Sequence, residues 1–386
     1  MNLSKYLTDR NIASFTLIFM SVQLLYIEGW TVSIPKVAFM AITPLFILVK
    51  TPYISKAAIF SLLFWVVTVG MSIIQFGMTS RMSTFYYSAL FLLTFTLYYN
   101  LVHINKAFEI GQFIKLIKIV IYAYTIILIL QQLFFIVGLR YMPLINLMNQ
   151  PYYGLFRLNS LAIEPSHAGR LLAVYFYAYL KLNEYQNGNT PLIKELWNKD
   201  KKLIVAFLYT MIGIGSGTAL IALGILSLYF LKRQYALTVI CSAIAIYMLI
   251  PIIDYEPLNR AVNIFNATMT GNTELVTQTD NSAAARVNII LNTINNLDIS
   301  QSSTWFGQGI DATKSIDNAV VSAITDYGLI SYISKLILFF TCCFTSLFSL
   351  EIVMFILLFS FNIGNIAYGW AALMIFSTIK YFKYNH

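Results

Sequence analysis

Charge is scarce in this sequence, and so are cysteine and histidine. Only 11% of the 386 residues are Asp, Glu, Lys or Arg, against about a quarter in soluble domains. The three cysteines, Cys241, Cys342 and Cys343, all lie in apolar runs, without disulfide or metal-site spacing. No DxD-like acidic cluster marks a nucleotide-sugar metal site, so neither metal nor cofactor is expected. Internal repeats and low-complexity segments are missing too, which argues against an inverted-repeat transporter.

What the chain has instead is apolar length, with 59% hydrophobic residues. Apolar stretches of about 20 residues, the length that crosses about 30 Å of hydrocarbon, recur almost throughout. Backbone groups in lipid must be satisfied internally, so each stretch reads as a helix. The expectation is an all-α polytopic membrane protein forming a single integral membrane domain over 1–386. Twelve spans are placed near 11–29, 35–49, 57–76, 84–103, 117–138, 168–182, 203–216, 218–231, 236–253, 319–341, 346–363 and 365–381. The apolar segment after MNLSKYLTDR is read as a retained first span, not a cleaved signal. GIGSGT at 213–218 suggests that the seventh and eighth spans form a broken hairpin.

The net charge of +9 does not signal nucleic acid, because the lysines sit in short loops between apolar runs. It reads as a topology signal with both termini cytoplasmic. Segments assigned to the cytoplasm hold 14 Lys and 2 Arg, whereas the opposite side holds 6 Arg and 2 Lys. Topology does not require that exchange of cation, and arginine is suited to gripping phosphate or carboxylate bidentately. Two long external loops, 139–167 and 254–318, accompany the arginines. The second contains NRAVNIFNATMTG and SAAARVNIILNTINNL, which pattern as short amphipathic helices. A glycine turn follows in WFGQGIDA.

The densest chemistry lies in LNSLAIEPSHAGRLL, 158–172. Pro165 favours a helix start with Glu164 at the N-cap. At 100° per residue, Glu164, His167 and Arg170 then project within about a third of the circumference. So compact an acidic–basic group, with Arg157 seven residues upstream, favours a site. The plainer reading makes Glu164 a helix cap, His167 an interfacial residue and Arg170 a snorkelling cation.

RLNSLAIEPSHAGRLL (157–172) resembles the arginine-then-EPS signature of Wzy-type O-antigen and capsular polysaccharide polymerases. GSGTALIAL (215–223) is similar to the small-residue span that follows it in that family. ARVNIILNTI, WFGQGI and DNAVVSAITDYGLISYI, within 285–333, resemble the family's last long periplasmic loop and the helix after it. Asp317-Asn318 stands where the related O-antigen ligases commonly carry histidine, which favours a polymerase.

The resemblance implies a GT-C-like, metal-independent inverting glycosyltransferase of the bacterial inner membrane. It would join undecaprenyl-pyrophosphate-linked oligosaccharide repeat units, donor and acceptor, at the periplasmic face. On that reading Arg157, Arg170 and Arg286 are the candidates for holding the departing pyrophosphate, with Arg81 and Arg260 fitting less well. Glu164 is the first candidate for the general base and Asp317 the second, with His167 orienting or sharing the proton. A chain-length regulator is the implied protein partner and membrane lipid the implied surroundings. The alternatives are a flippase for the same lipid-linked sugars and an O-antigen ligase.

Overall fold

The computed structural model describes residues 7–25, 33–70, 82–139, 158–231, 297–309, 324–359 and 367–385. It also describes the short pieces 141–142, 146–147, 258–259 and 262–263 and the single residues 73, 237, 241 and 266. Among the described residues the fold is helical, apart from one two-stranded antiparallel pair, Tyr141–Met142 with Asn146–Leu147. In chain order the helices are α1 (Asp9–Ser21), α2 (Ile34–Lys50), α3 (Lys56–Trp65), α4 (Met82–His103), α5 (Ile110–Ile136) and α6 (Pro165–Asn187). They continue with α7 (Ile193–Gly213), α8 (Gly217–Ser227), α9 (Ser302–Phe306), α10 (Gly328–Cys342), α11 (Leu350–Leu358) and α12 (Ala367–Asn385).

Local chemistry sets several ends. The Thr8 hydroxyl accepts the Asn11 N–H to open α1, and the Ser55 hydroxyl accepts that of Ala58 to open α3, satisfying orphan donors of a first turn. Pro165 is the first residue of α6, and Gly188 closes that helix with φ +72°, the left-handed turn glycine adopts without strain. Between α7 and α8 the chain breaks at Ile214–Ser216, with Gly215 at φ +59°.

α6 is the hub. Every residue from Ala168 to Leu180 is buried, because α5, α7, α8 and α12 pack around it. A helix apolar on all sides needs such complete cover. α12 is enclosed in the same way over Gly369–Ile379, with Trp370 stacked near-parallel to Phe91 of α4. Gly169 permits the closest approach in the hub. A Cβ there would lie 2.5 Å from the Ala219 Cβ of α8.

The described residues do not form the expected twelve spans. Among the described residues, two helices are long and apolar enough to cross a membrane: Phe85–His103, with 19 residues, and Ile110–Ile136, with 27. The apolar helices Lys56–Gly70, Gly217–Phe230 and Gly328–Cys342 are shorter than the roughly 20 residues a crossing needs. α2 has 17 residues with Pro44 inside, and α7 bends at Asp200, whose φ of −139° is not helical. The polytopic GT-C-like bundle is therefore corrected to an all-α fold with two candidate spans among the described residues. The multi-pass inner-membrane placement with both termini cytoplasmic falls with it. So does that part of the Wzy-type resemblance which leaned on span count. The physical reason is that much of the apolar content serves helix–helix burial, as in α6 and α12. Apolar composition alone does not tell a protein neighbour from a lipid one.

The outer helices nevertheless leave large apolar side chains exposed. Leu45, Leu48 and Val49 on α2, Leu62 on α3, Ile126 and Leu133 on α5 and Ile212 on α7 are among them. Most of the long loop 254–318, with its two expected amphipathic helices, lies outside the described residues, and so does about half of 139–167.

Candidate functional site

The segment Leu158–Glu164 that leads into α6 is tied down from several sides. The Ser160 backbone N–H donates to Gln131 Oε1 at 2.7 Å, and Gln131 Nε2 donates back to the Ser160 carbonyl at 3.1 Å. The Ser160 hydroxyl donates to the Tyr124 carbonyl at 2.6 Å, and the Gln23 N–H to the Leu161 carbonyl at 2.8 Å. Helices α5 and the end of α1 thus fix the backbone that delivers Glu164 to the start of α6. Such anchoring preorganises a side chain more tightly than a free loop does.

Glu164 is the N-cap residue, and its carboxylate does not cap the helix. Its side chain is 55% exposed, with Oε2 3.8 Å from His167 Nε2 and accepting from the Ser166 hydroxyl at 3.2 Å. At 3.8 Å the contact with His167 is an ion pair only when the imidazole is protonated. The imidazole stacks on the Tyr368 ring of α12, centroid to centroid 4.1 Å. The Tyr368 hydroxyl accepts from Arg170 Nη1 at 3.2 Å. Tyr368 thereby joins His167 and Arg170, one turn apart on α6, into one cluster.

Arg170 is 9% exposed, and its Nε is buried with no hydrogen-bond partner among the described residues. A buried guanidinium that meets only a neutral hydroxyl is poorly compensated, since desolvating an ion costs several kcal/mol. Beside the cluster lies a cavity of about 60 Å³, lined by His167, Tyr368, Ser21, Tyr124, Gln23 and Lys36 among others. Lys36 is 3% exposed, and its Nζ donates to Gln23 Oε1 at 3.1 Å. Burial lowers the Lys36 ammonium to about 7.

The structure therefore brings together Glu164, His167 and Arg170 of the sequence-derived candidates. Arg157, Arg286 and Asp317 lie outside the described residues. Sequence reasoning missed Tyr368, Gln23 and Lys36. Lys36 falls at the start of the span expected near 35–49 and is one of the two lysines assigned to the external side, a placement that gives no sign of its burial beside Gln23. Nothing local marks Tyr368 or Gln23, which reach the site only through the packing of α12 and α1 against their neighbours.

Other ionisable groups within the fold have partners of their own. Glu351 is fully buried and accepts from the Tyr177 hydroxyl and from the Thr345 N–H and hydroxyl. The His103 ring stacks on Tyr99 at 4.0 Å. Lys335 places its ammonium 4.4 Å from the Tyr332 ring centroid. Asp326 is buried where two strands of coil cross. Gln308 donates to the Thr325 carbonyl and Gly309 to that of Asp326.

Comparison with protein-family models, curated proteins and solved structures finds no match for this chain. The likeness to polysaccharide polymerases rests on the sequence segments alone.

Proposed function

We propose that this chain is a glycosyltransferase joining oligosaccharide units carried on undecaprenyl pyrophosphate, with the start of α6 as its reaction site. The observation that carries the reading is the buried Arg170 guanidinium, with Tyr368 as its hydrogen-bond partner, six residues after an exposed carboxylate at the mouth of the same helix. A pyrophosphate leaving group needs fixed positive charge where its own charge develops. An attacking hydroxyl needs a carboxylate that solvent and substrate reach. The two groups stand a little under two helical turns apart, about 9 Å along the axis.

In this reading the acceptor hydroxyl attacks the anomeric carbon of the donor sugar while Glu164 takes its proton. The bond between that carbon and the pyrophosphate oxygen breaks, and the electron pair leaves with the pyrophosphate beside Arg170. The anomeric centre inverts. His167 steers the Glu164 carboxylate, and Tyr368 holds His167 and Arg170 in register. The exposed apolar side chains of α2, α3, α5 and α7 suit a substrate with a long polyprenyl tail.

The test gives the purified full chain a defined undecaprenyl-pyrophosphate-linked repeat unit and follows product length. Wild type is expected to form a ladder. Glu164→Gln should lower the rate by about 10²–10⁴-fold, the usual worth of a positioned acid–base group. Arg170→Gln should lower it by about 10²–10³-fold. Both variants should keep their thermal midpoint within a few degrees. Arg157→Ala, Arg286→Ala and Asp317→Asn enter the same assay. Full activity in Glu164→Gln removes it as the base. Transfer of the lipid-linked sugar across a bilayer without elongation would replace the reading by a flippase, and transfer to a different acceptor by a ligase.

A further inference from the structure

Lys36 presents a problem that the proposed reaction does not solve. It is buried in the wall of the 60 Å³ cavity, four helices away in sequence from the Glu164 cluster. Its hydrogen-bond partner is the neutral Gln23 side-chain oxygen, and it makes no ion pair among the described residues. A charged ammonium in that position is stable only with a counter-charge nearby. The cavity lining supplies hydroxyls, amide and imidazole from Ser21, Tyr124, Tyr368, Gln23 and His167, and no carboxylate.

Lys335 shows that burial alone does not make a site. It too is buried without a carboxylate partner, but its ammonium lies against the face of Tyr332. An aromatic face offers a cation some compensation. Lys36 instead lines a partly open cavity, and no carboxylate stands among the described residues that line it.

We propose that the cavity is a binding site for one small oxyanion, held by the Lys36 ammonium in its wall. The space suits a single phosphoryl or carboxylate group. It has room for about two waters, at about 30 Å³ each in the liquid. Occupancy keeps Lys36 protonated and gives the cavity the counter-charge its walls lack. The site is separate from the Arg170 guanidinium, which does not line the cavity, and it stands whether or not the chain transfers sugars. Two sources carry such a group: a phosphate ester and an acidic sugar.

The experiment uses the purified full chain and radiolabelled sulfate in equilibrium dialysis, with glucuronate and inorganic phosphate as competitors and glucose as a neutral control. One saturable sulfate is expected per chain, and glucose should not displace it. Preferential displacement by phosphate identifies the ester source, and by glucuronate the acidic sugar. Lys36→Met should weaken sulfate binding at least tenfold, whereas Lys36→Arg and Lys335→Met should keep it within about threefold. Because Lys36→Met can also disturb packing, Gln23→Glu is the decisive variant. It sets a carboxylate against Lys36 with almost no change of shape. It should abolish sulfate binding while leaving the thermal midpoint unchanged or higher. Wild-type sulfate affinity in Gln23→Glu would overturn the proposal. So would a loss of binding in Arg170→Gln with none in Lys36→Met, which would assign the anion to the guanidinium.

Discussion

At the scale of single residues, glycine carries the sharpest consequences. Gly169 sits inside α6, where alanine is ordinarily preferred by about 1 kcal/mol. Here the preference reverses, because the new Cβ would stand 2.5 Å from the Ala219 Cβ and 2.9 Å from its Cα. Gly169→Ala should destabilise the protein by about 1–3 kcal/mol through overpacking, read as a lower thermal midpoint. An unchanged or raised midpoint would show that α8 yields at no cost. Gly328 is more constrained still. Its φ is +81°, and a Cβ would meet the Trp305 carbonyl oxygen at 2.3 Å, a backbone atom that no rotamer change moves aside. Gly328→Ala should exceed Gly169→Ala in cost, measured the same way. The sequence marked WFGQGI as a turn because glycine acts locally. It did not mark Gly169 or Gly328, whose constraint comes from a distant neighbour.

At the scale of elements, the bend of α7 carries a pH dependence. Asp200 accepts from Lys118 Nζ of α5 at 2.6 Å and from the Tyr179 hydroxyl of α6 at 2.6 Å. Burial on its own would raise the carboxyl. The bonds from Lys118 and Tyr179, with the charges of Lys118 and Lys199, outweigh it and hold the group below its usual 3.8. The folded state therefore binds the proton less readily than the unfolded chain. Its stabilising contribution is whole above about pH 4 and fades as pH falls through the lower folded value. Asp200→Asn should cost about 1–3 kcal/mol at neutral pH and flatten the acid side of a stability curve followed by chemical denaturation. Equal acid sensitivity in wild type and variant would exclude this carboxylate as its source. Element ends were legible where one residue decides them, as with Pro165 at the start of α6 and Gly215 between α7 and α8. The bend at Asp200 was not, because it answers to partners on α5 and α6 rather than to its own neighbours in sequence.

At the scale of the whole molecule, the apolar surface has a physical outcome. Leu48 and Val49 are 70% and 75% exposed, and Ile136 is 72% exposed. Large apolar side chains exposed to this degree favour association with something equally apolar. In light scattering after size exclusion, the chain should be monodisperse in mild detergent and self-associate when the detergent is removed. A stable monomer in plain buffer would show that these side chains are covered within the chain. The span count failed at this same scale. Alternation of apolar and polar segments is visible residue by residue, but whether a segment faces lipid or another helix depends on the packing of all of them. The site divided in the same way. Glu164, His167 and Arg170 were found because they share one turn and a half of helix. Lys36, Gln23 and Tyr368 come from α2, the end of α1 and α12.

Tyr368 also gives the site a history. It belongs to α12, about 180 residues after the end of α6, which a ribosome adding 5–20 residues per second reaches roughly 10–40 s later. During that interval α6 has emerged with no α12 to cover its flank, Arg170 has no phenol to bond and the cavity lacks a wall. The nascent protein must therefore hold an unfinished pocket open until almost its last helix arrives, and a message cut short before codon 367 yields a chain with the reactive residues present and no site.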